Sequence, residues 1–235
     1  EMPPPSSTPN SSVSSQVAGE GVALIELFAG LRTARLATEE LRCTVVAHMS
    51  CECDIFANHV AEKHYQEWAR SSVGEVTFTS KDILTLSDDA LRQWVLAVYS
   101  LPPEKRARLL LIVGGWPCKG TSRARDTGKG FQSRPGLLDR QSKLFWEIPR
   151  VLRVVSEAIT SQKPKDSDAL AFRWIFENVI VDSNTYNAVC KELGVTPFLV
   201  NAAKQCPASR ERLFWTNFEP RPQQGERWGS ATRRE

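Results

Sequence analysis

The residue of this sequence best suited to covalent chemistry is a cysteine in a loop that contains two glycines. The loop, residues 114–118, reads GGWPC and follows the most strand-like apolar run of the chain, residues 109–113. The glycines leave the backbone open, and the proline fixes the backbone angle φ just before the thiol of Cys118. Because Lys119 and further cations follow, the thiol is biased toward the nucleophilic thiolate. We therefore predict a nucleophile at Cys118, against the ordinary alternative of an inert core cysteine.

Two other short motifs stand beside later apolar runs. Glu177 and Asn178 follow a run at 173–176, and a glutamate in so apolar a context can stay partly protonated and act as an acid or hydrogen-bond donor. Arg210 and Arg212 precede the last apolar run, and their spacing of two places both guanidinium groups on one face of an extended chain. A pair of arginines in solvent is the ordinary alternative.

The ends of the first three apolar runs of the chain carry residues suited to a polar or anionic ligand. Residues 28–33, FAGLRT, contain a glycine for a tight turn, and the amides that begin the next helix can face a ligand. Glu52 follows the second run, where dinucleotide-binding folds place an acid that holds ribose hydroxyls. Asp82 follows the third run and can accept a hydrogen bond from an exocyclic amine. For both acids, a surface carboxylate is the alternative.

The segment 119–140 is the most basic part of the chain. It carries a net charge of +4, whereas the whole chain carries +3 from 30 basic and 27 acidic residues. Its cations are Lys119, Arg123, Arg125, Lys129, Arg134 and Arg140, and its anions are Asp126 and Asp139. Such a segment suits a polyanion, because each phosphate that it neutralises releases counterions. A solvated basic loop is the alternative.

Apolar runs alternate with helix-like stretches along most of the chain. The predicted strands are 22–27, 43–49, 76–78, 109–113, 173–176, 198–200 and 213–216, and the predicted helices lie near 33–42, 54–64, 87–99, 138–159 and 183–193. Ser87 can cap the third helix, and Pro149 is expected to kink the fourth. The alternation predicts an α/β fold with a doubly wound, mostly parallel sheet, and the last two strands, with no helix between them, predict a terminal antiparallel hairpin. In such sheets ligands bind beyond the carboxyl ends of the strands.

Composition limits the class of protein. Residues 1–20 and 219–235 are rich in Pro, Ser, Gln and Arg and are predicted to be disordered tails around one domain, 21–218. The longest apolar runs fall far short of the ~18 residues that span a bilayer. The six cysteines show neither a disulfide framework nor paired zinc spacing, which indicates reduced thiols, an intracellular location and no metal site. A first residue of Glu indicates a fragment or a processed form.

Taken together, these motifs resemble the cytosine-5 DNA methyltransferase family over about residues 22–218. The specific matches are the Pro-Cys loop at 114–118, the Glu-Asn-Val motif at 177–179 and the Arg-x-Arg motif at 210–212. The details are most similar to the eukaryotic de novo branch. Two positions depart from the family: Ala208 replaces a Gln, and Arg32 replaces the second Gly of the first turn. The target-recognition region and the final helix of the family have no counterpart, so a truncated enzyme is expected.

The resemblance implies that S-adenosylmethionine lies across the first three strand ends. The turn would wrap the methionine part of the cofactor, Glu52 would hold its ribose, and Asp82 with Ile83 its adenine. The implied cofactor-binding residues are Phe28, Ala29, Gly30, Leu31, Thr33, Glu52, Cys53, Asp82 and Ile83.

The resemblance also implies a covalent mechanism on a cytosine flipped out of double-stranded DNA, and hence a nuclear location. Cys118 would attack C6, Glu177 would bind N3 and the amino edge, and Asn178 would brace the Pro-Cys loop. Arg212, with Arg210, would hold the carbonyl oxygen of the base. The implied nucleic-acid contacts are Lys119, Ser122, Arg123, Arg125 and Lys129, on a basic segment that closes over the backbone.

Two alternatives stay open at this point. The first is an RNA cytosine-5 methyltransferase, as in the tRNA-acting enzymes that share these motifs. The second is a catalytically silent, methyltransferase-like subunit that binds a partner enzyme, which the missing C-terminal part favours. Against the silent subunit, Cys118, Glu177 and Arg212 are all present, and a structural relative has no chemical need for all three. An accessory or dimer partner is compatible with either alternative.

Overall fold

The computed structural model describes residues 21–69, 76–122, 135–162, 170–204, 207, 209–220 and 229–230. Strands and helices alternate through the first two thirds of the chain. The strands are β1 (Gly21–Leu27), β2 (Thr44–Cys51), β3 (Val76–Ser80), β4 (Ala107–Gly115), β5 (Ala171–Asn178), β6 (Phe198–Asn201), β7 (Glu211–Thr216) and β8 (Gly229–Ser230). The helices are α1 (Thr33–Glu40), α2 (Ile55–Ala69), α3 (Asp88–Tyr99), α4 (Glu147–Ser161) and α5 (Ser183–Leu193).

All eight strands form one sheet in the order β3-β2-β1-β4-β5-β7-β6-β8. Strands β1 to β5 pair in parallel, whereas β7 is antiparallel to both β5 and β6. The predicted fold class, a doubly wound and mostly parallel α/β sheet that ends in an antiparallel hairpin, is confirmed. The strand order reverses between β1 and β4, and ligands of open α/β sheets bind at the carboxyl ends beside such a reversal.

Strand β1 lies in the middle of the sheet, and all seven of its residues are buried. Its apolar residues pack on both faces, but Glu26 is a buried acid that is 2% exposed. The Glu26 carboxylate accepts hydrogen bonds from the backbone N–H groups of Ala34, at 2.9 Å, and Arg35, at 3.2 Å, and lies 2.8 Å from His48 Nε2. It therefore supplies the acceptors that the first turn of α1 needs, since Arg32, the N-cap residue, makes no side-chain cap bond.

One face of the sheet carries most of the core. Helices α3 and α4 pack against each other and against this face with their apolar sides. The buried residues that they contribute are Leu91, Trp94, Val95, Val98, Ile148, Val151, Val154, Val155 and Ala158. Burying one such large apolar side chain contributes about 1.5–3 kcal/mol, so this layer holds the strand ends in fixed positions.

The predicted helix near 138–159 is present, but its predicted start is wrong. Helix α4 begins at Glu147, and two short 3₁₀ helices, Gly136–Leu138 and Ser142–Trp146, precede it. Between them the Asp139 carboxylate accepts hydrogen bonds from the N–H groups of residues 141 and 142, which makes a side-chain turn in place of a helical one. Pro149 lies in the first turn of α4, where an N–H has no partner within the helix, so it causes no kink.

The structure describes a small part of the second predicted tail and none of the first. Residues 1–20 lie outside the described residues, as do most of residues 219–235. Within the second tail, Gly229–Ser230 form β8, which pairs antiparallel with β6. In the part of the chain that the structure describes, no helix is both long and apolar enough to cross a membrane.

Candidate active site

The end of β4 lies directly against Glu177 on β5. In the parallel register Gly115 is opposite Glu177. A Cβ at residue 115 would lie 2.8 Å from Glu177 Oε2, so a residue with a side chain there would displace the carboxylate. The second glycine of the GGWPC loop therefore leaves room for the Glu177 carboxylate beside the backbone of β4.

Glu177 forms an ion pair with Arg212 of the neighbouring strand β7. Arg212 Nε lies 2.7 Å from Glu177 Oε1, and the two side chains are 23% and 31% exposed. Burial raises the pKa of the Glu177 carboxyl above its usual value, and the positive charges of Arg212 and Arg210 lower it only in part. Glu177 is thus easier to protonate than an ordinary glutamate while it stays within hydrogen-bond distance of a guanidinium group.

Asn178 joins β5 to the loop that carries the cysteine. Its side chain is 2% exposed. Asn178 Nδ2 donates to the carbonyl oxygen of Trp116 at 3.0 Å, and Oδ1 accepts from the N–H of Val179 at 2.8 Å. This is the kind of contact by which Asn178 can brace the Pro-Cys loop.

The loop is anchored on one side by Trp116. Its ring lies 5.1 Å from Phe145 and 5.4 Å from Trp215, centroid to centroid, in the core beneath the loop. Cys118, two residues later, is partly exposed. The carbonyl of Cys118 accepts hydrogen bonds from the N–H groups of residues 121 and 122, at 3.0 and 2.8 Å, which close a tight turn after the thiol. The structure therefore holds the Cys118 backbone without burying its side chain.

Two other cysteines near a strand end are poorer nucleophiles. Burial raises the pKa of the Cys51 thiol to about 12. It also raises the pKa of Cys53, with the neighbouring Glu52 carboxylate as the next cause. A thiolate is therefore disfavoured at both positions.

The two arginines of the Arg-x-Arg motif differ in position. Arg212 is half-buried against Glu177, whereas Arg210 is exposed, and its N–H donates to Asn201 Oδ1 at 3.0 Å. Arg210 is nevertheless close enough for its charge to lower the pKa of Glu177. The structure thus brings Glu177, Asn178, Arg212 and the Cys118 loop to one edge of the sheet.

The first three strand ends meet at the same edge. In the turn after β1, residues 28, 30 and 32 have φ values of 56°, 52° and 58°, in the left-handed region. Glu52, after β2, accepts hydrogen bonds from the N–H groups of Gly30 and Asp54, each at 2.7 Å. Asp82, after β3, accepts from the N–H of Leu84 at 3.0 Å and caps a 3₁₀ turn. Both acids therefore order the loops, and each carboxylate keeps further lone pairs for a ligand.

Two apolar residues at this edge were missed from the sequence. Phe56 and Leu84 are 83% and 61% exposed, although each lies a few residues after a predicted cofactor-binding acid. Large apolar side chains exposed beside polar groups are typical of a ligand-binding surface. The available signal was the aromatic residue that closely follows Glu52.

The remaining predicted site residues are placed as follows. Phe28 and Gly30 are half-buried, Ala29 and Ile83 are buried, and Leu31, Thr33 and Cys53 are exposed. Lys119 is exposed and Ser122 is half-buried, while Arg123, Arg125 and Lys129 lie outside the described residues.

No protein-family model matches this chain. Among solved structures it is similar to a Streptococcus pneumoniae protein that is described as a tRNA (m1A22) methyltransferase and was solved with S-adenosyl-L-methionine. The sequence identity is 10% and the TM-score 0.41, and the match covers 87% of this chain and 68% of that one. It is also similar to a Pyrococcus horikoshii protein described as an RNA methyltransferase, with 10% identity, a TM-score of 0.40 and coverage of 85% and 74%. For TrmK of M. capricolum, solved with S-adenosyl-homocysteine, the identity is 7%, the TM-score 0.38 and the coverage 86% and 64%.

The chain thus spans about two thirds of the length of the solved structures that it matches. The fold is a Rossmann-like, mostly parallel α/β sheet that ends in an antiparallel hairpin. The prediction of membership in the cytosine-5 DNA methyltransferase family is wrong, because the similar structures are described as tRNA and RNA methyltransferases. Short motifs at the strand ends of a widely shared fold do not by themselves determine the substrate. DNA methylation and double-stranded DNA as partner are withdrawn with this family assignment, whereas the intracellular, nuclear location stays a prediction.

Proposed function

We propose that this chain is an S-adenosylmethionine-dependent methyltransferase that modifies C5 of a cytosine in RNA, with Cys118 as nucleophile. The observation that carries the proposal is the ion pair of Glu177 with Arg212 over the end of β4, three residues before Cys118. This pair offers a hydrogen-bonding edge for a planar base at the end of the strand that leads into the loop of the partly exposed Cys118.

The polar groups match the edge of cytosine. Arg212 can donate to the carbonyl oxygen of the base. A protonated Glu177 can donate to N3, which is an acceptor in cytosine, whereas uracil carries a hydrogen at that atom. Since burial raises the pKa of Glu177, the protonated form is available at a higher pH than in an exposed glutamate. The pair therefore favours cytosine over uracil.

C5 of cytosine is by itself too weakly nucleophilic to accept a methyl group, and a thiolate that adds to C6 makes it more nucleophilic. Attack of the Cys118 thiolate on C6 forms an S–C6 bond, and the electrons of the C5–C6 double bond make C5 nucleophilic, while Glu177 supplies the proton at N3. Once C5 has bonded to the electrophilic methyl group that the cofactor would supply, loss of the C5 proton to a base from solvent re-forms the double bond, expels the thiolate and returns the N3 proton to Glu177. The residues thus act by covalent and acid–base catalysis.

The residues after β1, β2 and β3 fit S-adenosylmethionine. A Cβ at Gly30 would meet nothing within 4 Å, so there is open space beside the turn. Glu52 and Asp82 offer acceptors for ribose hydroxyls and an adenine amine, and the exposed Phe56 and Leu84 offer apolar cover for a base. When bound, S-adenosylmethionine supplies an electrophilic methyl group.

RNA is the polymer that we propose. Exposed cations, Lys119 and Arg210, lie at the same edge as Cys118 and suit a phosphate backbone. A tRNA methyltransferase and an RNA methyltransferase are also named among the similar structures. Unstacked bases of RNA loops are accessible to such a site without the full cost of flipping a paired base.

The test is covalent trapping on RNA that contains 5-fluorocytosine, in which the C5 fluorine blocks the elimination. With S-adenosylmethionine present, the wild-type chain should form an adduct that resists denaturing electrophoresis, and peptide mapping should place it on Cys118. Cys118→Ser should form none, whereas the control Cys43→Ser, on the loop before β2, should form it at the wild-type level.

A second measurement is methyl transfer to total tRNA, followed by nucleoside analysis. The expected product is 5-methylcytosine, lost in Cys118→Ser. Methyladenine made equally well by the wild type and Cys118→Ser would refute the proposal, because N1 of adenine needs no thiol for its activation. An absence of both products and of cofactor binding in calorimetry would refute it in favour of a silent subunit.

A further inference from the structure

A buried serine hydroxyl holds the backbone on both sides of Cys118. Ser142 is fully buried, at 0% exposure. Its Oγ accepts a hydrogen bond from the N–H of Gly120 at 2.9 Å and donates one to the carbonyl oxygen of Pro117 at 3.0 Å. Pro117 directly precedes Cys118, and Gly120 follows it by two residues. One hydroxyl therefore spans the segment that carries the thiol.

Ser142 is itself fixed by the turn in which it lies. Its N–H donates to Asp139 Oδ1 at 3.1 Å. A second connection runs from the N–H of Gly136 to the carbonyl oxygen of Gly120 at 3.1 Å. A Cβ at Gly120 would overlap Asp139, so only glycine permits this close approach. Residues 136–142 thus form a rigid support pressed against the loop.

This support complements the one that Asn178 provides. Asn178 holds the carbonyl of Trp116, whereas Ser142 holds the next carbonyl, that of Pro117, together with the N–H of Gly120. Along the chain Cys118 lies between the residues that these bonds hold, and its side chain stays partly exposed. Catalytic groups must be held to within a fraction of an ångström, and a displacement of about 1 Å can cost ~100-fold in rate.

We infer that Ser142 is a positioning residue for Cys118, acting through its two hydrogen bonds to the backbone of Pro117 and Gly120. The inference rests on the proposed function for its effect on methylation. Its effect on the thiol itself is independent of any substrate, because the two hydrogen bonds exist without one. Loss of the hydroxyl frees the backbone at both ends of the segment and lets the thiol move from its position in the loop after β4.

The test compares Ser142→Ala with Ser87→Ala in the full chain. Both variants lose one hydroxyl, with two hydrogen bonds in Ser142→Ala and one in Ser87→Ala. Ser87, however, caps α3 by accepting from the N–H of Ala90 at 3.1 Å and does not touch the Cys118 loop. Ser142→Ala should lower kcat for RNA methylation by about 10- to 100-fold with KM for RNA within about twofold, because thiol placement acts on the transition state. Ser87→Ala should keep the wild-type kcat.

A second readout is the rate at which iodoacetamide alkylates Cys118, followed by peptide mass spectrometry without RNA. Ser142→Ala should change this rate at least about threefold from wild type, and Ser87→Ala should not. Unchanged kcat and alkylation in Ser142→Ala, or equal losses in both variants at equal folded fraction, would overturn the inference. If Cys118→Ser stays active, the proposed function fails, and the alkylation comparison still decides the role of Ser142.

Discussion

The removal of a buried amide at the centre of the site should cost more stability than the removal of an equivalent exposed one. Asn178 and Asn217 form a matched pair. Asn178 bridges the carbonyl of Trp116 and the N–H of Val179. Asn217 accepts from the N–H of Trp174 at 2.9 Å and donates to the carbonyl of residue 172 at 3.1 Å. The two side chains make the same kinds of bond and differ in burial.

The expected loss in the free energy of unfolding depends on what replaces each hydrogen bond in the variant. In Asn178→Ala two hydrogen bonds are lost, and the carbonyl of the buried Trp116 is left without a donor, so the free energy of unfolding should fall by about 3 kcal/mol. In Asn217→Ala water can take over the exposed bond to residue 172, and only the partly buried bond from the N–H of Trp174 is lost, so the loss should be about 1 kcal/mol. For a chain of this size the difference corresponds to a Tm lower by about 4–8 °C in Asn178→Ala than in Asn217→Ala.

Urea unfolding, followed by tryptophan fluorescence and by circular dichroism, measures both variants. Equal m-values are needed for the comparison, since they show that both unfold to the same extent. If Asn217→Ala lost as much stability as Asn178→Ala, burial would not be the cause of the cost. The account of Asn178 as a brace of the Cys118 loop would then be wrong.

Two further predictions concern a titrating group and a backbone conformation. Because burial raises the pKa of Glu177 in the folded chain, its ionisation destabilises the fold: the stability present at low pH is lost as pH rises through the folded pKa, and kcat/KM should fall about tenfold per pH unit above it. Glu177→Gln should lower kcat/KM and should remove the decrease at high pH, both from kcat/KM and from the free energy of unfolding measured in urea. A variant with the same pH profile as the wild type would contradict this role of Glu177. Arg42 is exposed with φ 61° just after α1, so Arg42→Gly should raise the free energy of unfolding by about 0.5–1 kcal/mol, whereas Arg92→Gly, within α3, should lower it.

Local features of the fold follow from neighbouring residues and could be predicted from them. Ser87 was expected to cap a helix that ends near residue 99, and its hydroxyl accepts from Ala90 in a helix that ends at Tyr99. The predicted helix near 183–193 is present with the same bounds. Capping and apolar periodicity depend on residues one to four positions apart, so they can be read along the chain.

The assignment to a family failed because a substrate is not determined by residues that are close together in the sequence. A Pro-Cys loop and an Arg-x-Arg motif at strand ends describe a fold and a position on it. Many activities share that fold, and the substrate is determined by the site and by surfaces that short motifs do not describe. Hence the prediction of a sheet survived, and that of a DNA substrate did not.

The sequence by itself determined the order of strands and helices, the antiparallel hairpin and the edge at which polar residues gather. The tertiary structure alone decided that Ser142 holds Pro117, 25 residues away, and that helix α4 begins only at Glu147. It supplied the contacts behind two sequence-based expectations: Asn178 donates to the carbonyl of Trp116, 62 residues away, and burial raises the pKa of Glu177. Periodicity encodes which residues are buried. Contacts between distant residues depend on how the buried surfaces pack, and no local pattern contains that information.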